Sequence, residues 1–67
     1  MERIKLREIR KNKGLTQKKV AEVIGVSRPM YTSIENGTRN PSLRVVQNII
    51  DFFGDEAKEA FFNNEVA

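Results

Sequence analysis

The segment GVSRPMYTSIENG, Gly25–Gly37, decides how the rest of the chain is read. It has the marks of a short helix with a stop at each end. Ser27 is a favoured N-cap, because its hydroxyl can accept a backbone N–H of the first turn. Pro29 then falls in that first turn, where its missing N–H has no intrahelical partner in any case. Gly37 ends the helix. At 100° per residue, Tyr31, Ile34 and Glu35 point one way. Pro29, Thr32, Ser33 and Asn36 point the other way, with Arg28 at the N-terminal tip. A merely solvated helix face usually carries Lys and Glu. This one carries short polar groups, as a face meant for close contact would.

Upstream, Thr16 is the expected N-cap of a second helix that turns Val20, Ala21 and Ile24 inward and stops at Gly25. Only Gly25-Val26-Ser27 joins it to the next helix. A glycine turn this short makes two helices cross steeply, which is the helix-turn-helix arrangement. With an apolar rear, short hydrogen-bonding groups in front and an arginine at the entering end, the later helix suits a DNA major groove.

The remaining punctuation is Gly14, Pro41 and Gly54, and between these marks the apolar spacing is helical. The first helix is expected over about Arg3–Lys13, with Leu6 and Ile9 inward. A fourth is expected over about Ser42–Phe53. It carries one apolar stripe of Leu43, Val46, Ile50 and Phe53, and a second of Val45, Ile49 and Phe52. So much apolar surface suits a central helix or one with a partner chain. A fifth is expected from Asp55 to near Asn63, with Ala57, Ala60 and Phe61 inward and Phe62 off that face.

Sixty-seven residues suggest one small domain spanning 1–67. A chain of this size buries only about 60% of its unfolded surface, so its stability is modest. It has no Cys and no His, which excludes disulfides and argues against a zinc site. No cofactor, phosphate loop or nucleophile signature is evident, and an enzyme is not expected. The N-terminal MERIKLREIRK lacks an apolar signal core, and no apolar run reaches membrane-spanning length. A soluble, cytoplasmic protein with no membrane partner is expected.

The net charge of +3 conceals an asymmetry. Residues 1–44 hold 11 Lys/Arg against four Glu, whereas residues 45–67 hold one Lys against five acids. A basic part and an acidic part on one small domain suggest a polyanion-binding face with the other end held away.

The pieces Leu15-Thr16-Gln17, Val20-Ala21, Gly25-Val26-Ser27, Ile34-Glu35-Asn36-Gly37 and Asn40-Pro41-Ser42-Leu43 together resemble the phage repressor and Cro-like (XRE-type) helix-turn-helix family. The resemblance covers about residues 3–53. It implies an all-α, compact five-helix, lambda-repressor-like domain with the helix-turn-helix in its second and third helices. It also implies binding to double-stranded DNA, commonly as a homodimer. The acidic ending GDEAKEAFFNNEVA departs from the commonest family pattern, so it leaves the dimer mode open.

By that resemblance the base-reading positions fall on Arg28, Pro29, Thr32 and Ser33. Arg28 suits a bidentate contact to guanine, the alternatives being a phosphate contact or a free surface arginine. Thr32 and Pro29 suit a thymine methyl. Gln17 takes the family's phosphate-contacting place at the start of the second helix, where free N–H groups and the dipole also favour an anion. Asn36 and Arg39 are expected on the phosphate backbone, with Lys18, Lys19 and Arg44 as further candidates. Arg10 and Glu35 are opposite charges turned inward, expected to pair, and the family resemblance implies the same bridge. Phe52 and Phe62 fit either packing within the chain or a dimer seam. The function the resemblance implies is a sequence-specific regulator of bacterial or phage type, nucleoid-associated when bound, a repressor on a palindromic operator. The alternative is an antitoxin or regulatory module that holds a partner protein at the acidic, aromatic C-terminal end.

Overall fold

The computed structural model describes residues 2–62. Among them are five α-helices, α1 (Ile4–Asn12), α2 (Gln17–Ile24), α3 (Arg28–Asn36), α4 (Leu43–Phe53) and α5 (Glu59–Phe62), with a 3-10 turn, Asp55–Lys58, before α5. The described residues form no strand, and none of their helices is long and apolar enough to cross a membrane.

Three helices start on a hydroxyl cap. Thr16 Oγ1 accepts the Lys19 N–H at 3.0 Å, and the Ser27 and Ser42 hydroxyls accept from Met30 and Val45 at 3.2 Å each. Such a cap contributes about 1 kcal/mol to its helix. Gly25 closes α2 at φ +83°, a left-handed conformation that costs a residue with a Cβ about 1–2 kcal/mol. That conformation turns the chain between α2 and α3.

The core takes Leu6 and Ile9 from α1, Val20, Ala21 and Ile24 from α2, and Tyr31 and Ile34 from α3. Val46, Ile49, Ile50 and Phe53 of α4 close it from the other side, and Ala57 of the 3-10 turn completes it. Each large apolar side chain buried this way stabilises by about 1.5–3 kcal/mol, so packing outweighs capping. Asn48 donates to the Ile24 carbonyl at 3.3 Å, so α4 also satisfies the C-terminal end of α2.

Two expectations need correction. Leu43 was expected on the inward stripe of α4, but it is 76% exposed. It is the first residue of the helix, a turn before Val46, and sharing the angle of a buried stripe does not carry the core that far along the axis. The continuous fifth helix is instead a 3-10 turn followed by a single α-helical turn. Its inward residues stand as expected, with Ala57 buried and Ala60 and Phe61 packed against the core. The expected continuation to Asn63 lies outside the described residues.

Candidate nucleic-acid interface

The centre of the site is a buried carboxylate. Glu35 of α3 is fully buried and takes two hydrogen bonds from Arg10 of α1, Nε to Oε2 at 2.6 Å and Nη2 to Oε1 at 3.2 Å. Arg7 approaches the same oxygen Oε1 at 3.7 Å while bonding Glu2 at 3.0 Å. Arg10 also donates through Nη1 to the Leu15 carbonyl at 2.8 Å, which holds the α1–α2 loop. Burial pushes the Glu35 carboxyl up, but hydrogen bonds from Arg10 and Gln17 more than reverse this and hold it below the usual carboxylate range. Glu35 in turn raises the Arg10 guanidinium. The Tyr31 hydroxyl is buried without a well-formed hydrogen bond, and burial, with the neighbouring Glu35, pushes it up.

Gln17, the first residue of α2, reaches this node. Its Nε2 donates to Glu35 Oε1 at 3.0 Å, and its Oε1 accepts from Thr32 Oγ1 at 2.8 Å. The carboxylate that ties α1 to α3 therefore also orients the side chain at the α2 N-terminus. Thr16 takes the Lys19 N–H, whereas the first N–H groups of α2 have no helical acceptor and stand at the positive end of its dipole. Lys18 and Lys19 are exposed beside them.

The outward face of α3 carries Arg28 at its first position and Pro29 at its second, both exposed. A shallow groove of about 240 Å³ brings Pro29 and Ser33 together with Ser27, Met30 and Arg39. Thr32 differs from these candidates, since its hydroxyl is turned to Gln17. Asn36 is exposed at the last position of α3, Arg39 is exposed in the following loop, and Arg44 is exposed at the second position of α4. Phe52 is 37% exposed with its ring 4.9 Å from that of Phe53, and Phe62 is 55% exposed, both away from α3 in sequence and on the acidic end. Among the described residues no group of three His, Cys, Asp or Glu side chains is placed to hold a metal ion.

Arg3 has a part that its sequence position does not announce. Its backbone N–H donates to the Glu35 carbonyl at 2.8 Å, and its Nη1 donates to the Ile34 carbonyl at 2.7 Å. Its Nη2 reaches Asn40 Oδ1 at 3.1 Å, and its guanidinium lies 5.1 Å from the centre of the Phe61 ring. One arginine thus satisfies carbonyls at the C-terminal end of α3, steadies the loop carrying Arg39, and touches α5. Burial lowers its pKa. A cation suits the negative end of a helix, but these partners lie 31 to 37 residues away and no local spacing reveals them.

Comparison with known proteins places this geometry. A family model described as helix-turn-helix (HTH_3) matches residues 6–56. The chain is 37% identical to the uncharacterized HTH-type transcriptional regulator YqaE of Bacillus subtilis (strain 168), across 90% of this chain and 59% of YqaE. It is 34% identical to RstR, the cryptic phage CTXphi transcriptional repressor of Vibrio cholerae, across 91% of this chain and 55% of RstR. It is 36% identical to an uncharacterized HTH-type transcriptional regulator of Archaeoglobus fulgidus, across 94% of this chain and 91% of that protein. The chain therefore spans little more than half the length of YqaE and RstR. No solved structure matches it significantly. With a helix-turn-helix in α2 and α3 and a family match over most of its length, the chain belongs to the helix-turn-helix (HTH_3) family of transcriptional regulators.

Proposed function

We propose that the chain binds double-stranded DNA in a sequence-specific manner and acts as a transcriptional repressor, with residues 1–67 working as one DNA-binding unit. The observation that carries this reading is the joint presentation of two features. The outward face of α3 is short and polar with Arg28 at its tip, and beside it Gln17 is held at the N-terminus of α2. In the proposed complex α3 enters the major groove. Arg28 reads guanine, and Pro29, Ser33 and the methyl of Thr32 meet neighbouring base edges. Gln17, Lys18, Lys19, Asn36, Arg39 and Arg44 meet phosphates, which position the protein without reading sequence. The repressor name carried by RstR supports the mode of action.

The binding unit is proposed to be a homodimer on a palindromic operator, with Phe52 and Phe62 at the seam. A two-fold pair of α3 helices about 34 Å apart would match successive major grooves on one side of the duplex. The second reading, a module holding a partner protein, draws on the same exposed aromatics beside the exposed acids Asp51, Asp55, Glu56 and Glu59.

The test is the salt dependence of binding to duplex DNA. A protein using six to ten phosphates loses about 10³–10⁵ in affinity between 50 and 200 mM salt. Absence of duplex binding at 50 mM salt would leave the partner-holding reading in its place.

A further inference from the structure

The Gln17 amide is held at both ends, and the chemistry of its partners fixes its direction. The Glu35 carboxylate, kept ionised by Arg10, can only accept, so it must face the amide nitrogen, 3.0 Å away. The amide oxygen therefore faces Thr32. A carbonyl cannot donate, so the hydroxyl of Thr32 gives its proton to Gln17 Oε1 across 2.8 Å. A threonine hydroxyl has one proton. Thr32 is thus left with lone pairs and a methyl group, and is no longer a donor to a base. The Gln17 amide nitrogen has two N–H groups, and one of them is engaged with Glu35.

We propose that Thr32 is a positioning residue of the DNA interface: its hydroxyl, acting with Glu35, aims the remaining Gln17 N–H at a phosphate, and only its methyl meets a base. This inference rests on the DNA-binding reading above. A free glutamine loses rotamer freedom when it grips a phosphate, and one already tethered at both amide ends loses less. The tether also ties the phosphate grip to the reading helix. Thr32 lies on α3 one turn from Arg28 and one turn from Asn36, so the link sits in the middle of the proposed contact face.

Two substitutions separate the hydroxyl from the methyl. Thr32→Val keeps shape and a methyl but removes the donor. It should weaken binding to every duplex by one common factor, roughly two- to tenfold. The salt dependence and the order of base preference should be unchanged, because the Gln17 amide is neutral and displaces no counterion. In a Gln17→Ala background, which has no amide to aim, Thr32→Val should cost no further affinity. Thr32→Ser keeps the donor and removes the methyl. It should leave the salt slope alone and lower the preference for thymine at one base pair. A variant that is only less stable would lose the same affinity with or without the Gln17 amide, and thermal melting checks that both fold.

In the free protein, the Gln17 side-chain amide signals in nitrogen-15 spectra should stay in place in Thr32→Ser and move toward free-amide positions in Thr32→Val. The proposal is overturned if Thr32→Val weakens binding as much in the Gln17→Ala background as in the wild type, or if it alters base preference, which would make the hydroxyl a direct reader. Unmoved Gln17 signals in Thr32→Val would overturn it as well. A wild-type protein that binds no duplex overturns the DNA-binding reading and this role together, whereas wild-type binding matched by Thr32→Val overturns the role alone.

Discussion

Arg10 and Glu35, on α1 and α3, are joined by two hydrogen bonds, 2.6 and 3.2 Å long, within the core. Removing one partner of a buried pair strands the other charge, at a cost of about 3–5 kcal/mol. Glu35→Ala should therefore largely unfold a domain of this size, as a circular-dichroism melt would show. An unchanged melting point would refute the structural role. Replacing both partners by apolar groups, Arg10→Met with Glu35→Leu, should recover most of that stability. It should not recover full DNA binding, because Gln17 then lacks its carboxylate anchor.

The same carboxylate sets an acid limit. Its folded pKa lies below the ordinary value of a glutamate carboxyl. The unfolded chain therefore takes up the proton first as pH falls. The stability contributed by Glu35 is complete above that ordinary value and is lost as pH drops toward the folded one. Melting temperatures between pH 7 and pH 3 should show this fall in the wild type. The Glu35→Gln variant, lower at neutral pH, should fall less steeply. Equal slopes in the two proteins would assign acid sensitivity elsewhere.

Gly25 should not tolerate a side chain. Nothing lies within 4 Å of a Cβ placed there, so a clash is not the reason. The reason is its φ of +83°. Gly25→Ala should cost about 1–2 kcal/mol, which for a domain of this length lowers Tm by about 4–8 °C per kcal/mol. Gly25→Asn, better suited to left-handed backbone, should cost less. An alanine variant as stable as wild type would mean that the α2–α3 turn relaxes to another conformation.

Phe52 tests the proposed seam. Phe52→Glu should yield a monomer by sedimentation equilibrium at concentrations where the wild type is a dimer. It should weaken binding to a palindrome far more than to a half-site. The same mass for both proteins would remove Phe52 from the assembly.

The local signals in the sequence located α2 and α3 well because their boundaries are chemically local. Thr16 and Ser27 need only a backbone N–H three residues on, and Gly25 and Gly37 need only their own φ. The expected cap geometry of Thr16, with Lys19 as donor, is the one observed. Helical spacing also turned Tyr31, Ile34 and Glu35 inward correctly. What spacing gives is an angle around an axis. It does not give the residue opposite, nor how far along the axis the core extends. Leu43 shares the angle of Val46 yet stands in water, and Thr32, assigned by angle to the outward face, bends its hydroxyl back to Gln17. Arg3 was invisible for a related reason, since each of its acceptors comes from a distant part of the chain.

In the proposed complex α3 reads base sequence through Arg28. That role is tested most directly by selecting binding sites from random duplex DNA with the wild type and with Arg28→Ala, read by sequencing. The expected wild-type result is an inverted repeat with half-site centres about one helical turn apart. Arg28→Ala should then lose discrimination at a guanine in each half-site, by about 1–3 kcal/mol, and keep the rest of the motif. A folded wild-type protein that enriches no motif would contradict sequence reading by α3. The same motif from both proteins would leave α3 in the groove but take the reading role from Arg28.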